Sequence, residues 1–445
     1  MSRLHLVVRL LLPWLCLAGN AHAQLHLPAL PPGLPAFPDA VDPPLRRALS
    51  SDLSPADPLR ARHRLVDALL RREPRRLERD PAGEAIVRSE VLLSSPSVAL
   101  LDAAQAAGFR LAREQRMAAL GLYLVTLQAP TGMSTPAAAA MLRHLDPDAT
   151  LDFNHVYLPG GQVLATGESA ATGSNTPPPG AATAGGPLRI GLVDGGVAAA
   201  HPALRQAILH THGCGAQARP DAHGTAVASL LVGRDGRFQG AAPGAMLYAA
   251  DIYCGAPANG TAEAVVQALA WMAQERVPVI NLSIVGPPNQ LLERAVGMLA
   301  ARGHLLVAAV GNDGPAAAPL YPAGYASRIS GVVAVTGVDV QRRALVEAGQ
   351  GRHVMLAAPG AALAVADAGS GGYATARGTS FAAPLAAGLL AASLPQPDVP
   401  AARQALQDLA RHAVDLGAPG PDPVYGLGLV GETLRVDPQR VDARR

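Results

Sequence analysis

The sequence of 445 residues contains no lysine, so all 36 of its basic residues are arginine. This absence excludes chemistry that needs a lysine amine, such as Schiff-base formation or activation of a serine by lysine. Aromatic residues make up only 3% of the chain, so the core must be built mainly from Ala, Val and Leu. The formal net charge of +2 argues against an obligate polyanion partner, and no binding of nucleic acid is expected.

An apolar run near the start of the chain lies between basic and small residues. Arg3 and Arg9 precede the run at residues 10–18, and the small residues Ala21 and Ala23 follow it. This order predicts a bacterial Sec-type signal peptide over residues 1–23, and therefore a secreted or periplasmic protein. No other run reaches the roughly 20 apolar residues of a membrane span, so no integral membrane segment is expected after signal removal.

Cysteine is scarce, with three in the chain. Cys16 lies in the predicted signal peptide and is expected to be removed with it. Cys214 and Cys254 then remain, and the oxidising conditions met by an exported protein favour a disulfide between them. Two unlinked thiols are the alternative.

The first half of the chain changes composition twice. Residues 24–84 begin Pro-rich and continue into a basic amphipathic helix, predicted over residues 60–72, whose charged face is expected to be solvated. Residues 85–158 predict a small α+β unit. Residues 159–187 form a Gly/Pro/Ala/Thr linker that is too polar and broken to pack, and such exposed linkers are where proteolytic nicking concentrates.

The second half alternates short apolar runs with helical patterns over residues 188–434, before a tail at residues 435–445. This alternation predicts a parallel sheet with helices on both faces. The predicted strands of the chain are 90–93, 122–127, 190–193, 246–252, 279–284, 305–310, 332–338 and 354–357. The further predicted helices are 97–107, 136–145, 225–231, 261–274, 290–301, 380–393 and 401–409.

The stretch at residues 378–384, Gly-Thr-Ser-Phe-Ala-Ala-Pro, sets a serine between a glycine turn and an apolar helix. Helix N-termini carry unpaired N–H groups and partial positive charge, which suit an oxygen that becomes anionic during acyl transfer. By itself a serine in this place is usually an N-cap. Ser380 is therefore a candidate nucleophile that needs a base and an orienting acid elsewhere in the chain.

Two other segments supply such groups. Asp194 ends an apolar run and is followed by a glycine turn, which is typical of a buried parallel strand with function at its carboxyl end. His223 stands at the head of an apolar helix. Asp221 competes with Asp194 to orient His223, and Asp194 is favoured because it ends a strand, whereas Asp221 is interpreted as a loop cap. The chain order is Asp, His, Ser.

These segments resemble those of the subtilisin-like serine proteases, the subtilases, which share this chain order. Residues 308–314 resemble the family stretch that supplies the oxyanion-hole asparagine, and residues 281–286 resemble the strand that pairs with extended substrate. The resemblance covers roughly residues 188–434. It implies an α/β, parallel-sheet, three-layer catalytic domain preceded by a small α+β propeptide-like domain, and it implies a serine endopeptidase.

The resemblance also assigns roles to individual residues. It implies a catalytic triad of Asp194, His223 and Ser380, with Asn312 as oxyanion donor. The residues expected to bind substrate are Ser283, Ile284, Val285, Gly286, Ala309 and Val310. A peptide or protein substrate and a monomer are expected. No cofactor is expected to be required; structural calcium occurs in the family, but no Asp-rich loop or His/Cys cluster of this sequence predicts a metal site.

The end of the α+β unit, residues 152–157, resembles the tail of the inhibitory propeptide of subtilases, which lies in the substrate groove until it is cut. The resemblance implies a zymogen that is inhibited by its own propeptide and that processes itself in the linker, at a bond the sequence does not identify. A plain accessory domain is the alternative interpretation of residues 85–158.

Two residues depart from the family pattern. Gly195 follows the aspartate where the family usually has Thr or Ser, which predicts the loss of one supporting hydroxyl group and a more mobile loop. Val285 stands where many subtilases have glycine, and it predicts a preference for small or medium apolar residues before the cleaved bond. Because of Gly195, an alternative hypothesis is that the chain is a catalytically silent subtilase-like binding or chaperone protein.

Overall fold

The structure is a computed structural model that describes residues 58–164, 188–217, 219–236 and 238–442. The predicted signal peptide, the Pro-rich stretch after it and most of the predicted linker lie outside the described residues.

Helices and strands alternate along most of the described chain. Its helices are α1 (Pro58–Arg72), α2 (Val98–Ala106), α3 (Thr135–Leu145), α4 (Ala222–Val232), α5 (Ala262–Gln274), α6 (Gln290–Ala300), α7 (Thr379–Ser393), α8 (Val399–Arg411) and α9 (Pro438–Asp442). Its strands are β1 (Leu77–Arg79), β2 (Ala85–Ser94), β3 (Arg110–Met117), β4 (Leu122–Gln128), β5 (Leu151–His155), β6 (Leu158–Pro159), β7 (Gln162–Leu164), β8 (Arg189–Asp194), β9 (Leu209–His212), β10 (Arg234–Asp235), β11 (Phe238–Gln239), β12 (Met246–Asp251), β13 (Val279–Leu282), β14 (Ile284–Val285), β15 (Leu305–Ala309), β16 (Val332–Val338), β17 (Leu356–Pro359), β18 (Leu363–Ala366) and β19 (Tyr373–Arg377).

Seven strands form a parallel sheet in the order β17-β16-β15-β13-β8-β12-β9. The strands β13, β15 and β16 are apolar and buried along their whole length, as expected of parallel strands covered on both faces. The predicted α/β fold, with a parallel sheet between layers of helices, is confirmed.

Helices of different composition cover the two faces of this sheet. On one face lie α4 and α7, which are buried along almost their whole length and are rich in alanine. On the other face lie α5 and α6, which bury one side through residues such as Val265, Leu269 and Leu292. Small side chains let α4 and α7 lie deep within the core, which accounts for a large core with few aromatic residues.

A second, antiparallel sheet precedes the parallel one in the chain. Its strands follow the order β1-β2-β4-β3, and β5 also pairs with β2. The helices α2 and α3 cover one face of this sheet around Ile86, Leu100 and Leu142. Its other face sets Leu92 and Leu122 in one apolar cluster with α5 and α6. We call residues 58–160 the antiparallel-sheet region.

Side chains of β5 accept hydrogen bonds from backbone N–H groups in the first turns of α5 and α6. The Asp152 carboxylate accepts a hydrogen bond from the Gln290 N–H at 2.8 Å, and the Asn154 side-chain oxygen accepts one from the Glu263 N–H at 3.1 Å. These N–H groups have no partner within their own helices, and the helix dipole favours negative charge beside them. The antiparallel-sheet region is therefore attached by apolar packing and by capping of two helices.

The structure contains strands that the sequence pattern did not indicate. The strand β3 lies at the edge of its sheet with nearly every residue exposed or half-exposed, so it shows no alternation of apolar and polar residues. The short β1 lies within the stretch interpreted only as Pro-rich and helical. The single strand predicted over residues 279–284 is two strands, β13 and β14, because the chain leaves the parallel sheet at Ser283.

Gly388 tests how closely α7 packs against the loop that contains Ala241. An added Cβ at Gly388 would lie 2.3 Å from the Ala241 Cβ, so we expect Gly388→Ala to lower the free energy of unfolding by about 1–3 kcal/mol. Gly297→Ala in α6 is the matched control. The nearest atom there is Ile329 Cδ1 at 3.9 Å, and we expect a gain of about 0.5–1 kcal/mol from helix propensity. Denaturant unfolding measures both, and a Gly388→Ala protein as stable as its parent would contradict this packing.

Candidate active site

Asp194 is the last residue of β8 and lies at the carboxyl edge of the parallel sheet. It is fully buried, between β12 and β13 in the sheet. Its Oδ1 accepts a hydrogen bond from the Gly195 N–H at 2.7 Å. A buried carboxylate needs a charged or hydrogen-bonding partner, because water does not reach it.

His223 provides that partner from the first turn of α4. Its Nδ1 lies 2.9 Å from Asp194 Oδ1 and 3.0 Å from Oδ2. Because a carboxylate only accepts hydrogen bonds, Nδ1 carries the proton and Nε2 is left to accept one. Asp221 caps α4, accepting hydrogen bonds from the N–H groups of His223 and Gly224 at 2.8 and 3.0 Å.

Charges around His223 change its acidity. Burial by itself lowers the pKa of His223, but the charge of Asp194, the hydrogen bond to it and the charge of Asp221 outweigh burial and raise the pKa above 6.5, the ordinary value. Burial and the nearby charge of Asp194 raise the pKa of Asp221. The imidazolium form of His223 is therefore stabilised by two carboxylates, which suits a group that must take up a proton during a reaction.

Ser380 lies in the first turn of α7, fully buried. Its Oγ donates to the Ser283 carbonyl at 3.4 Å, and its own carbonyl accepts a hydrogen bond from Ser283 Oγ at 2.8 Å. The buried Nε2 of His223 has no hydrogen-bond partner in the part of the chain that the structure describes. The structure thus joins His223 to Asp194 but leaves the Ser380 hydroxyl on a neighbouring carbonyl.

Asn312 follows β15 and reaches the same edge of the sheet. Its Oδ1 accepts a hydrogen bond from the Thr379 N–H at 3.1 Å, which orients the side-chain amide. The Nδ2 group donates to the carbonyl oxygen of Gly160. An amide held in this way presents a fixed donor to a peptide carbonyl beside Ser380.

The chain around Gly160 lies across this edge as an extended peptide. The strand β6 pairs with β14 in antiparallel register, Leu158 opposite Val285. The Gly160 N–H donates to the Ser283 carbonyl at 3.2 Å. Sequence reasoning did not single out Gly160 and set the start of the linker at residue 159, because a Gly/Pro-rich stretch gives no signal of strand pairing.

The residues predicted to bind substrate divide into two groups. Ser283, Ile284 and Val285 pair with the chain at residues 158–160. Gly286 lies against the ring of the buried Tyr157, whose hydroxyl donates to the Pro287 carbonyl at 2.9 Å. Ala309 and Val310 are buried at the end of β15, and their role in substrate binding stays a prediction.

An ion pair next to Asn312 was not indicated by the sequence. Arg62 of α1 is buried, with its Nε 3.1 Å from the carboxylate of Asp313 and an Nη 2.5 Å from Glu84. Burial raises the pKa of Asp313 to about 6, even though the charge of Arg62 opposes this rise. The helix α1, whose charged face was predicted to be solvated, therefore also places a buried arginine next to Asn312. The sequence indicated only that this helix is amphipathic.

The space beside Gly195 is already occupied. A Cβ on Gly195 would lie 2.6 Å from Asp221 Cβ and 2.7 Å from Asp221 Cγ. The side chain that most subtilases carry here would collide with the carboxylate that caps α4. Asp221 thus fills the space in which the missing hydroxyl-bearing side chain would lie.

The sulfur atoms of Cys214 and Cys254 are 2.06 Å apart, at the distance of a disulfide. Together with Asp251 they form a group of three potential metal ligands, among the described residues. Sulfurs joined to each other are not available as thiolates, so this group does not fit a zinc-type site. The prediction that no cofactor is required stays a prediction.

Among the described residues, no helix is both long enough and apolar enough to cross a lipid bilayer.

Comparison with known proteins agrees with this fold. A family model described as the subtilase family matches residues 185–428. Subtilisin DY of Bacillus licheniformis is 31% identical over 251 residues, which is 55% of this chain and 89% of that protein. Subtilisin Savinase of Lederbergia lenta is 33% identical over 253 residues, again 55% of this chain and 89% of that protein.

A solved structure is similar over a larger part of the chain. Fervidolysin from Fervidobacterium pennivorans, a keratinolytic enzyme related to subtilisin, matches with a TM-score of 0.65 at 20% identity, covering 80% of this chain and 61% of its own. At that identity the likeness concerns the fold alone. The family match and the subtilisin relatives show that the chain belongs to the subtilase family. It is a serine-type endopeptidase, and its substrates are peptides or proteins.

The charge of Asp221 leads to a prediction about pH. A base must be neutral, so we expect kcat/KM to fall as the pH drops through a value above the ordinary 6.5 of histidine. Asp221→Asn removes a charge that favours the imidazolium but keeps an oxygen for the α4 cap. We therefore expect the acid limb of the kcat/KM profile to move to lower pH. An acid limb that stays in place or moves to higher pH would contradict this electrostatic account.

The crowding at Gly195 leads to a second prediction. Gly195→Ser restores the family's hydroxyl, but we expect kcat to fall about 10- to 100-fold because the new side chain displaces Asp221 and, with it, His223. Asp221→Gly alone is the control. The double variant removes the collision, so it should be more active than Gly195→Ser alone, as a double-mutant cycle of kcat/KM measures. Increased activity of the single Gly195→Ser variant would show that Asp221 does not fill this space.

Proposed function

We propose that the protein is an exported serine endopeptidase, made as a self-processed zymogen, with Asp194, His223 and Ser380 as its catalytic triad. The observation that carries this proposal is the position of Gly160. Asn312 donates to the Gly160 carbonyl oxygen, while Ser380 Oγ lies 2.7 Å from the position of a Cβ on Gly160. A residue whose carbonyl oxygen binds the proposed oxyanion donor thus lies against the proposed nucleophile.

The mechanism follows from these positions. Ser380 Oγ leaves the Ser283 carbonyl, donates its proton to His223 Nε2 and attacks the carbonyl carbon. Asp194 keeps the Nδ1 proton in place and stabilises the imidazolium. Asn312 and the Ser380 N–H, which as a first-turn group has no acceptor within α7, stabilise the oxyanion. His223 then protonates the leaving amine, and water repeats the sequence on the acyl-enzyme.

In this proposal the antiparallel-sheet region acts as an intramolecular inhibitor, and we call it the prosegment. Its extended end pairs with β14, so another peptide has no access to the same backbone groups until that end leaves. Its caps on α5 and α6, and the buried pair of Arg62 with Asp313, hold it beside the site. These contacts support an inhibitory propeptide more than a plain accessory domain, which would have no reason to fill the substrate groove.

Export is supported by the start of the sequence and by the cysteines. The predicted signal peptide over residues 1–23 directs the chain out of the cytoplasm. In the oxidising environment outside the cytoplasm, Cys214 and Cys254 can persist as a disulfide. We propose a secreted or periplasmic location and a monomer.

A catalytically silent binding or chaperone protein was the alternative because of Gly195. Asp221 fills the space beside Gly195, and Asp194 keeps its contacts with His223. Gly195 therefore gives no structural reason for loss of activity.

A fluorophosphonate probe tests the proposed function directly. We expect the matured protein to be labelled on Ser380, as located by mass spectrometry of the labelled peptide, and the Ser380→Ala protein to stay unlabelled and to keep its prosegment. A folded, prosegment-free protein that takes no label would support the silent alternative.

The oxyanion role of Asn312 gives a prediction with a magnitude. In subtilisin itself, loss of the matching donor lowers kcat by about 10²–10³, and we expect Asn312→Ala to lower kcat by that order with little change in KM. Asn312→Asp is the matched variant, because it keeps the shape and the acceptor for the Thr379 N–H but loses the donor. Steady-state kinetics measures both, and an Asn312→Asp enzyme with normal kcat would exclude this role.

A further inference from the structure

The Gly160–Gly161 peptide bond is held by paired strands on both of its sides. Before the bond, β6 pairs with β14. After the bond, β7 pairs with β19 in antiparallel register, Gln162 opposite Arg377 and Val163 opposite Ala376. The bond between these two ladders is the one whose carbonyl oxygen meets Asn312. The register thus selects one bond of the chain for attack.

A side chain before this bond would meet Val285. A Cβ on Gly160 would lie 2.7 Å from Ser380 Oγ and 3.3 Å from Val285 Cγ1. The hydroxyl can rotate away toward His223, whereas Val285 is 5% exposed and has the stiff χ1 angle of a β-branched residue. Any residue larger than glycine must therefore displace Val285.

A side chain on the residue after the bond would meet Phe381, which can move less than Val285. A Cβ on Gly161 would lie 2.8 Å from Phe381 Cε2 and 3.1 Å from Ser380 Cβ. The Phe381 ring is fully buried, and its centroid lies 5.3 Å from that of the His223 ring, so the ring cannot yield without disturbing the base. The backbone also approaches closely, because a Cβ on Gly378 would lie 2.9 Å from Gly161 Cα.

We propose that this site selects glycine on both sides of the cleaved bond, that Val285 and Phe381 impose this choice, and that Gly160–Gly161 is the maturation bond. This inference rests on the proposed function. It narrows the expected preference for small or medium apolar residues to glycine itself. The substrates it defines are extended chains that contain a Gly-Gly pair.

The maturation step balances as ordinary peptide hydrolysis. Ser380 Oγ forms a bond to the Gly160 carbonyl carbon, its proton passes through His223 to the Gly161 nitrogen, and the Gly160–Gly161 C–N bond breaks. Water then cleaves the ester, which leaves a carboxylate on Gly160 and restores the Ser380 hydroxyl.

The mass of the released prosegment identifies the bond that is cleaved during maturation. We expect its intact mass to show a fragment that ends at Gly160, a readout that later trimming of the mature chain does not affect. The linker holds a second pair, Gly185-Gly186, which provides the matched control. Gly160→Ala and Gly161→Ala should slow release of the prosegment at least about tenfold, with the larger effect for Gly161→Ala, while Gly185→Ala should mature like wild type.

Compensating variants test Val285 and Phe381 and separate specificity from misfolding. Val285→Gly should restore maturation to the Gly160→Ala chain, and Phe381→Leu, which lacks the Cε atoms, should restore it to the Gly161→Ala chain. With the matured enzyme, peptides that carry Tyr-Leu-Pro-Gly-Gly or Tyr-Leu-Pro-Ala-Gly should differ at least about tenfold in kcat/KM. In the Val285→Gly enzyme this ratio should fall toward one.

Failure of this inference is distinguishable from failure of the proposed function. If the fluorophosphonate labels Ser380 but the prosegment ends elsewhere, or the alanine variants mature at the wild-type rate, or the alanine peptide is cut as fast as the glycine peptide, glycine selection is wrong and the serine endopeptidase stands. If the folded chain neither releases its prosegment nor takes the label, both proposals are wrong.

Discussion

The hydrogen bond from the Asn312 side-chain amide to the Gly160 carbonyl connects the edge of the parallel sheet with the extended chain that follows the antiparallel sheet. On one side of it, the parallel sheet and α7 hold the amide and Ser380 at fixed positions. On the other side, the prosegment is attached through the first turns of α5 and α6, and its extended end pairs with β14 beside this hydrogen bond. Geometry that would stabilise an oxyanion is therefore already occupied by the chain's own carbonyl.

Buried charge explains how the remaining groups are arranged. Asp194 is taken out of water by the parallel sheet, and His223 and the Gly195 N–H satisfy it. A second carboxylate, Asp221, lies close by and is satisfied by the N-terminus of α4. Both favour a protonated imidazole, so the site accepts a proton readily while its nearest carboxylates stay bound to protein groups. The glycine at residue 195 is a condition of this arrangement, because Asp221 needs the space.

Much of this arrangement could be predicted from the sequence, for identifiable reasons. The apolar runs of β8, β13 and β15 and the helix at Ser380 carry strong local patterns, and buried parallel strands place their carboxyl ends at one edge of a sheet. The exposed β3, the pairing of β6 with β14 and the buried Arg62 depend on contacts between distant segments. A Gly/Pro-rich stretch has the composition of a linker, and its pairing with another strand has no local sequence signal. The sequence therefore did not indicate that the Gly160–Gly161 bond lies beside Ser380.

The most direct measurement is a crystal structure of the full-length Ser380→Ala precursor, in which the chain cannot be cut. Our account predicts that residues 158–164 lie extended between β14 and β19, with the Gly160 carbonyl oxygen within about 3.2 Å of Asn312 Nδ2. A precursor whose Gly160 lies away from Asn312, or whose groove holds a different bond of the chain, would contradict the account.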